Sequence, residues 1–161
     1  QVTQHHNDMK AIKVGNDIKV YSNLKSYGGA IGLQYASDSD LEALGFYDVV
    51  TPSTKESQEL GAIKWDADNS VFTYSVKNKT YSLSVAELKT QKIENLKAIY
   101  NSKLGTTDWY VVRAAEGGTA VPSDIATERS DLRTECATKE AEINALSTKS
   151  SIVDYQLPSF R

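Results

Sequence analysis

The length, composition and charge of the chain limit the classes of protein to which it can belong. Its 161 residues, hydrophobic fraction of 40% and charged fraction of 24% are typical of an ordinary folded protein. A formal net charge of -3 gives no general attraction to nucleic-acid phosphates, and the longest apolar runs are far shorter than the roughly 20 residues of a membrane helix. The single cysteine, Cys136, excludes an internal disulfide. We therefore predict neither a nucleic-acid nor a membrane partner.

The amino-terminal half is predicted to form a small, mostly antiparallel β-sheet. Residues 1–8 are polar and precede the only methionine, Met9. The alternatives for them are an extension, a processed end and a fragment boundary, and we assign them as an N-terminal extension. Apolar residues then alternate with polar ones on either side of Gly15, which predicts a hairpin over residues 10–21 with a short turn.

A short helix and two further strand regions follow in the pattern. Ser39 can cap the helix, and Gly45 can end it in the left-handed conformation. Residues 46–50 are predicted to form a strand before Pro52. The aromatic and β-branched residues between positions 62 and 76 are typical of a second hairpin.

From Ser84 onward, the apolar residues recur about every three and a half positions, which predicts a long amphipathic helix. Ser84 and Glu87 have the spacing of a capping box, in which each side chain accepts a hydrogen bond from the other residue's backbone amide. Gly105 is the predicted carboxyl-terminal exit.

A second long helix is predicted after Pro122, with Ser123 as its cap. Its apolar face is narrow and partly alanine, a pattern that permits close approach to another helix and favours pairing with a partner. The residues of this stripe are Ile125, Leu132, Cys136, Ile143 and Leu146.

The segment between the long helices carries a large aromatic residue. Thr107 or Asp108 can cap a short helix that contains Trp109 and Val112, with a glycine pair to end it. We predict that the indole of Trp109 is a buried wedge at the open end of two antiparallel helices.

Together these elements predict an α+β fold, in which a small antiparallel sheet in the amino-terminal half is followed by a long antiparallel helical hairpin. The carboxyl-terminal tail is apolar enough that we expect it to dock on this protein or on a neighbour. The predicted divisions are an extension at 1–8, a mostly β domain at 9–83, a two-helix hairpin at 84–147 and a docking tail at 148–161.

Residue patterns that would indicate chemistry are weak. His5 and His6 are adjacent and have no third metal ligand nearby in the sequence. Residues 66–70 imitate the start of a calcium loop, but Val71 stands where its glycine is needed and Lys77 where its glutamate is needed. We predict no catalytic residue, no cofactor and no metal site, and an interaction module instead of an enzyme.

The order of these pieces resembles the family of phage tail-fibre assembly proteins and the related terminal domains of phage tail proteins. The resemblance covers about residues 9–147 and includes a Thr-Asp-Trp signature at Thr107, Asp108 and Trp109. Its other pieces are the hairpin from Met9, the segment from Leu41 to Pro52, the strand pair around Ile63-Lys64-Trp65, and the helix from Ser84.

This resemblance implies a structural protein of the phage tail, at a fibre, adaptor or tip. It would be made in the host cytoplasm and kept in the virion, oligomeric in the assembled particle, and would bind other tail proteins or copies of itself. Two alternatives are a transient tail-fibre assembly chaperone and a receptor- or glycan-binding module that uses Tyr27, Tyr35 or Phe72. The candidate interaction residues are Trp109, Ile125, Leu132, Ile143, Leu146, Tyr155 and Leu157.

Overall fold

Two units make up the part of the chain that the structure describes, which is residues 9–160 of a computed structural model. The predicted extension at residues 1–8 lies outside the described residues. The boundary between the units falls between Asn78 and Lys79. The first unit contains β1 Lys10–Val14, β2 Asp17–Tyr21, β3 Ser26–Tyr27, β4 Ala30–Ile31, α1 Asp38–Ala43, β5 Phe46–Val50, β6 Gln58–Asp66 and β7 Val71–Asn78. The second contains α2 Val85–Gly105, α3 Asp108–Ala115, α4 Ser123–Ala145 and α5 Lys149–Asp154.

Five strands of the first unit form one mixed sheet in the order β2-β1-β5-β7-β6, and β3 and β4 form a separate two-stranded sheet. The predicted hairpins are present as β1–β2 and β6–β7, each antiparallel. β5 and β7, however, are parallel, with Val49 opposite Phe72. β6 follows β5 in sequence but does not pair with it. β7 pairs with β5 instead, and β6 pairs with the other side of β7, at the edge of the sheet.

The predicted fold class is therefore wrong. Residues 9–160 form a mixed α/β structure with a partly parallel sheet and five α-helices, not an antiparallel sheet followed by a helical hairpin. Strand periodicity identifies strands but not their neighbours, which explains the error in the sheet. The short helix predicted around Trp109 is present as α3, between α2 and α4. α5 was not predicted as a helix, and it packs on α2.

The helix ends show where local patterns succeed and where they fail. The capping box of α2 is confirmed: the Ser84 Oγ accepts from the Glu87 amide at 3.2 Å, and the Glu87 carboxylate accepts from the Ser84 amide at 2.8 Å. α1 is capped by Ser37 and not by Ser39, since Ser37 Oγ accepts the Asp40 amide. Ser123 is the first residue of α4 and makes no capping bond.

A buried lysine joins α1 to the sheet in the first unit. Lys10 is 9% exposed, and its ammonium lies 2.7 Å from a carboxylate oxygen of Asp38 and 2.8 Å from one of Asp48. Burial lowers the pKa of Lys10, but hydrogen bonds and the charges of both aspartates outweigh it, so that the pKa is raised above its ordinary value of 10.5.

Replacing Lys10 tests this ion-pair cluster. Removal of one partner of a fully buried pair costs roughly 3–5 kcal/mol, and the partial exposure of both aspartates reduces the expected loss for Lys10→Met to about 1–2 kcal/mol. Because the folded-state pKa is raised, this difference should be constant at neutral pH and shrink as the pH rises above about 10.5. Urea unfolding followed by the fluorescence of Trp65, in a Trp109→Phe background, measures it. Exposed Lys19 provides the control Lys19→Met, and an equal loss there would contradict the account.

Candidate functional site

The corner between α2, α3 and α4 is held by one buried arginine of α4. Arg129 is 7% exposed, and its Nη1 donates to the carbonyl oxygen of Leu104 and to the Thr107 hydroxyl, each at 2.7 Å. Its Nη2 donates to the Asp108 carboxylate at 2.8 Å. A guanidinium has five donors in a rigid plane, so one side chain can bind the last turn of α2, the linker and the first residue of α3 together.

The linker residues have the hydroxyls that this corner needs. The last carbonyls of a helix lack partners within the helix, and the Thr107 hydroxyl donates to the Leu104 carbonyl at 3.1 Å while accepting from Arg129. Thr106 donates in the same way to the Lys103 carbonyl at 2.7 Å. The Thr-Asp part of the Thr-Asp-Trp signature is thus explained by contacts with Arg129.

α3 presents apolar and aromatic side chains to solvent. Trp109 and Val112 are each 53% exposed, and Val111 is also exposed. The Tyr110 ring lies against the Trp109 ring with centroids 3.8 Å apart, and the Arg113 guanidinium is 4.8 Å from the Trp109 centroid. The prediction of a buried Trp109 wedge is therefore wrong, because the corner is closed by Arg129 and the indole is left outside it.

A glycine closes the other end of α3. The Gly118 amide donates to the Arg113 carbonyl at 2.9 Å, and a Cβ at position 118 would lie only 2.8 Å from that same oxygen. Gly117 has a φ of 82°, the left-handed conformation that glycine adopts at low cost. Both glycines therefore allow the tight turn that ends α3 close to Arg113.

The other candidate interaction residues lie in or beside the core of the second unit. Leu132 is 8% exposed and Ile143 is fully buried, in a cluster with Leu96 and Tyr100. The remaining candidates, which are half-buried, are Ile125, Leu146, Tyr155 and Leu157. Tyr155 and Leu157 pack against the same cluster. The structure thus brings six of the seven candidates into or around the folded unit and leaves Trp109 as the exposed one.

The tail covers this core from the same chain. Ile152 of α5 is fully buried, and the Lys92 ammonium donates to the carbonyl oxygens of Val153 at 2.9 Å and Tyr155 at 3.2 Å, where α5 ends. The Tyr155 hydroxyl donates to Glu142 at 2.5 Å. Burial, followed by this carboxylate, raises the pKa of Tyr155 to about 12. The tail therefore fastens across α2 and α4.

Aromatic residues considered for glycan binding are mostly packed inside the first unit. Phe72 is buried, and Tyr27 contacts the Phe46 ring edge-on with centroids 5.0 Å apart. Tyr35 alone of the three is largely exposed, at 87%. A flat sugar-stacking surface built from these three rings is therefore absent from the described part of the first unit.

Among residues 9–160, no group of three or more histidine, cysteine, aspartate or glutamate side chains could hold a metal ion. Burial raises the pKa of the Cys136 thiol, which disfavours the reactive thiolate. Over the same residues, no helix is both long and apolar enough to cross a membrane.

We call the side chains of Trp109, Tyr110, Val111, Val112 and Arg113 the α3 surface. Sequence reasoning missed several residues that form this surface or hold it in place. These are Tyr110, Val111, Arg113 and Arg129. A signal for Arg129 was available, because it lies four residues after Ile125 and three before Leu132 and so falls on the predicted apolar stripe. A charged residue on a buried stripe requires partners, and the nearby Thr107 and Asp108 are the acceptors it finds.

Comparison of the chain with protein-family models, curated proteins and solved structures finds no match. The resemblance to phage tail-fibre assembly proteins therefore rests on the order of its short motifs. It stays a prediction, and the α3 corner gives a physical reason for one of those motifs.

The Thr107 hydroxyl can be tested with a near-isosteric replacement. Thr107→Val removes a donor to Leu104 and an acceptor of Arg129, so we expect a loss of about 1–2 kcal/mol in the free energy of unfolding. Thr106→Val is the matched control, since Thr106 makes one bond in an exposed position, and we expect a loss below about 0.5 kcal/mol. Urea unfolding followed by far-UV circular dichroism measures both. Equal losses would show that Arg129 does not depend on Thr107.

Proposed function

We propose that this chain is a structural protein of a bacteriophage tail, part of a fibre, adaptor or tip, which acts by binding another tail protein. The observation that carries the proposal is the exposed aromatic surface of α3, held in place by the buried Arg129. The ordered motifs that resemble phage tail-fibre assembly proteins supply the biological context.

The chemistry of the α3 surface supports a protein partner. Tryptophan, tyrosine and arginine are the residues most enriched among those that dominate binding energy at protein interfaces. Here Trp109, Tyr110 and Arg113 stack on one another, so they lose little conformational freedom when a partner covers them. Val111 and Val112 add apolar area beside the rings. An apolar groove with an acidic rim on the partner would complement this surface.

The location of the protein is tested by mass spectrometry of purified particles from a phage whose genome encodes this chain. We expect peptides of the chain at a fixed ratio to a tail protein. Their absence from particles that contain the other tail proteins would overturn the structural role.

The surface itself is tested by photo-crosslinking. A photoreactive phenylalanine analogue at position 112 should crosslink to a tail protein in infected cells, because Val112 is exposed beside Trp109. The same analogue at Ser130, which is exposed on α4, is the control and should not give that product. Equal crosslinking from both positions would count against binding through α3.

A second candidate function is that of a transient tail-fibre assembly chaperone. The observation that favours it is the burial of Leu132 and Ile143 within the chain, which removes the reason to expect permanent pairing of α4 with another copy. The exposed surface that remains lies on α3, a helix of eight residues, and small interfaces are typical of transient contacts. Co-expression separates the two roles: a chaperone raises the yield of fibre trimers and then dissociates, whereas a structural part stays bound to them.

A further inference from the structure

A pocket of about 350 Å³ opens on the sheet of the first unit. This volume falls within the range of sites that hold small ligands. The residues that line it include Lys13, Leu44, Gly45, Tyr47, Trp65 and Phe72. We propose that this pocket binds a small aromatic carboxylate, with the ring against Tyr47 and Trp65 and the carboxylate on the Lys13 ammonium. The inference goes beyond the proposed function and concerns a different part of the chain.

Strand register places the key side chains on one face of the sheet. Ala11 pairs with Tyr47, and Lys13 lies two residues after Ala11, so Lys13 and Tyr47 share a face. Tyr47 lies two residues before the β5 residue that pairs with Phe72, and Phe72 pairs with Trp65. Four adjacent strands therefore contribute one side chain each to the pocket side.

The aromatic rings form a preassembled cluster. β5 and β6 are two positions apart in the sheet, which separates their backbones by about 9.5 Å. The centroids of Tyr47 and Trp65 are nevertheless only 4.6 Å apart, and those of Trp65 and Phe72 are 5.0 Å apart. The outer rings thus lean together over the buried Phe72. Trp65 is 39% exposed, which leaves ring surface on which a ligand can stack.

Lys13 is the positively charged residue in the lining of the pocket. Among the described residues, no carboxylate forms an ion pair with Lys13, in contrast to Lys10, which has two such partners. Lys13 is exposed, so its ammonium contributes a solvent-screened attraction for an anion that lies in the pocket. Ring stacking and a single cation together select a ligand with an aromatic ring and one acidic group.

The test is a titration of the whole chain with phenylacetate, followed by ¹H–¹⁵N NMR of the two tryptophan indole groups. We expect a saturable shift of the Trp65 signal at millimolar phenylacetate. The Trp109 signal is an internal control and should stay in place, and Trp109→Phe assigns it. The neutral analogue 2-phenylethanol should bind about two- to fivefold more weakly, since it lacks the ionic contact with Lys13. A Trp65 signal that does not move with phenylacetate would overturn the proposal.

Two variants distinguish a specific contact with the Lys13 ammonium from non-specific binding. Lys13→Gln should raise the dissociation constant for phenylacetate about two- to fivefold and leave that for 2-phenylethanol unchanged. Lys19→Gln on β2 is the matched control, because Lys19 pairs with Ile12 and so lies on the opposite face from Lys13. Equal weakening by both variants would contradict a specific role for Lys13. Unchanged amide spectra elsewhere report that each variant is folded.

A peptide and its amide distinguish two possible ligands, the carboxyl terminus of a protein chain and a free aromatic acid. N-acetylglycylphenylalanine has a ring and a carboxylate like those at the end of a protein chain, and its carboxyl-terminal amide lacks the charge. Tighter binding of the acid peptide than of phenylacetate would support a chain terminus as the ligand. Weaker binding of the peptide would support a free small acid.

Discussion

The buried guanidinium of Arg129 is the interaction on which the arrangement of the helical unit depends. A charged group with so little exposure is stable only when its donors find acceptors, and the end of α2, the linker and the start of α3 supply them. Satisfying this one side chain therefore fixes where α2 stops and where α3 begins. Because the corner is filled by Arg129, the Trp109 ring does not need to fill it and lies at the surface.

Lysine side chains also bind backbone carbonyl oxygens elsewhere in the helical unit. Lys92 binds the carbonyls at the end of α5, and Lys149 donates to the Tyr81 carbonyl at 2.8 Å, so the tail is fastened at both ends of α5. Ion pairs of Lys103 with Glu128 and of Lys97 with Glu140 show that α2 and α4 run in opposite directions. Leu132 and Ile143 of the α4 stripe are thus covered from within the chain, whereas α3 exposes Trp109 and Val112.

Local features could be predicted from sequence, and long-range ones could not. The capping box at Ser84 and the two hairpins depend on residues a few positions apart, and they are present. The parallel pairing of β5 with β7 depends on which strands meet after the chain has folded, and periodicity carries no such information. Trp109 was misplaced for a similar reason: whether a large aromatic fills a corner depends on what else is there, and Arg129 is twenty residues away. The pocket at Tyr47 and Trp65 likewise joins strands that are distant in sequence.

Hydrogen exchange of the α3 amides in Arg129→Lys is the most direct test of the central claim. Lysine keeps the charge but cannot bind three acceptors in one plane, so the account predicts that protection of α3 falls about tenfold to hundredfold, while the middle of α2 and of α4 stays protected. Arg133→Lys, at an exposed position one turn further along α4, should leave α3 unchanged. Unchanged protection of α3 in Arg129→Lys, or an equal loss in the Arg133→Lys control, would contradict the claim that Arg129 holds α3 in place.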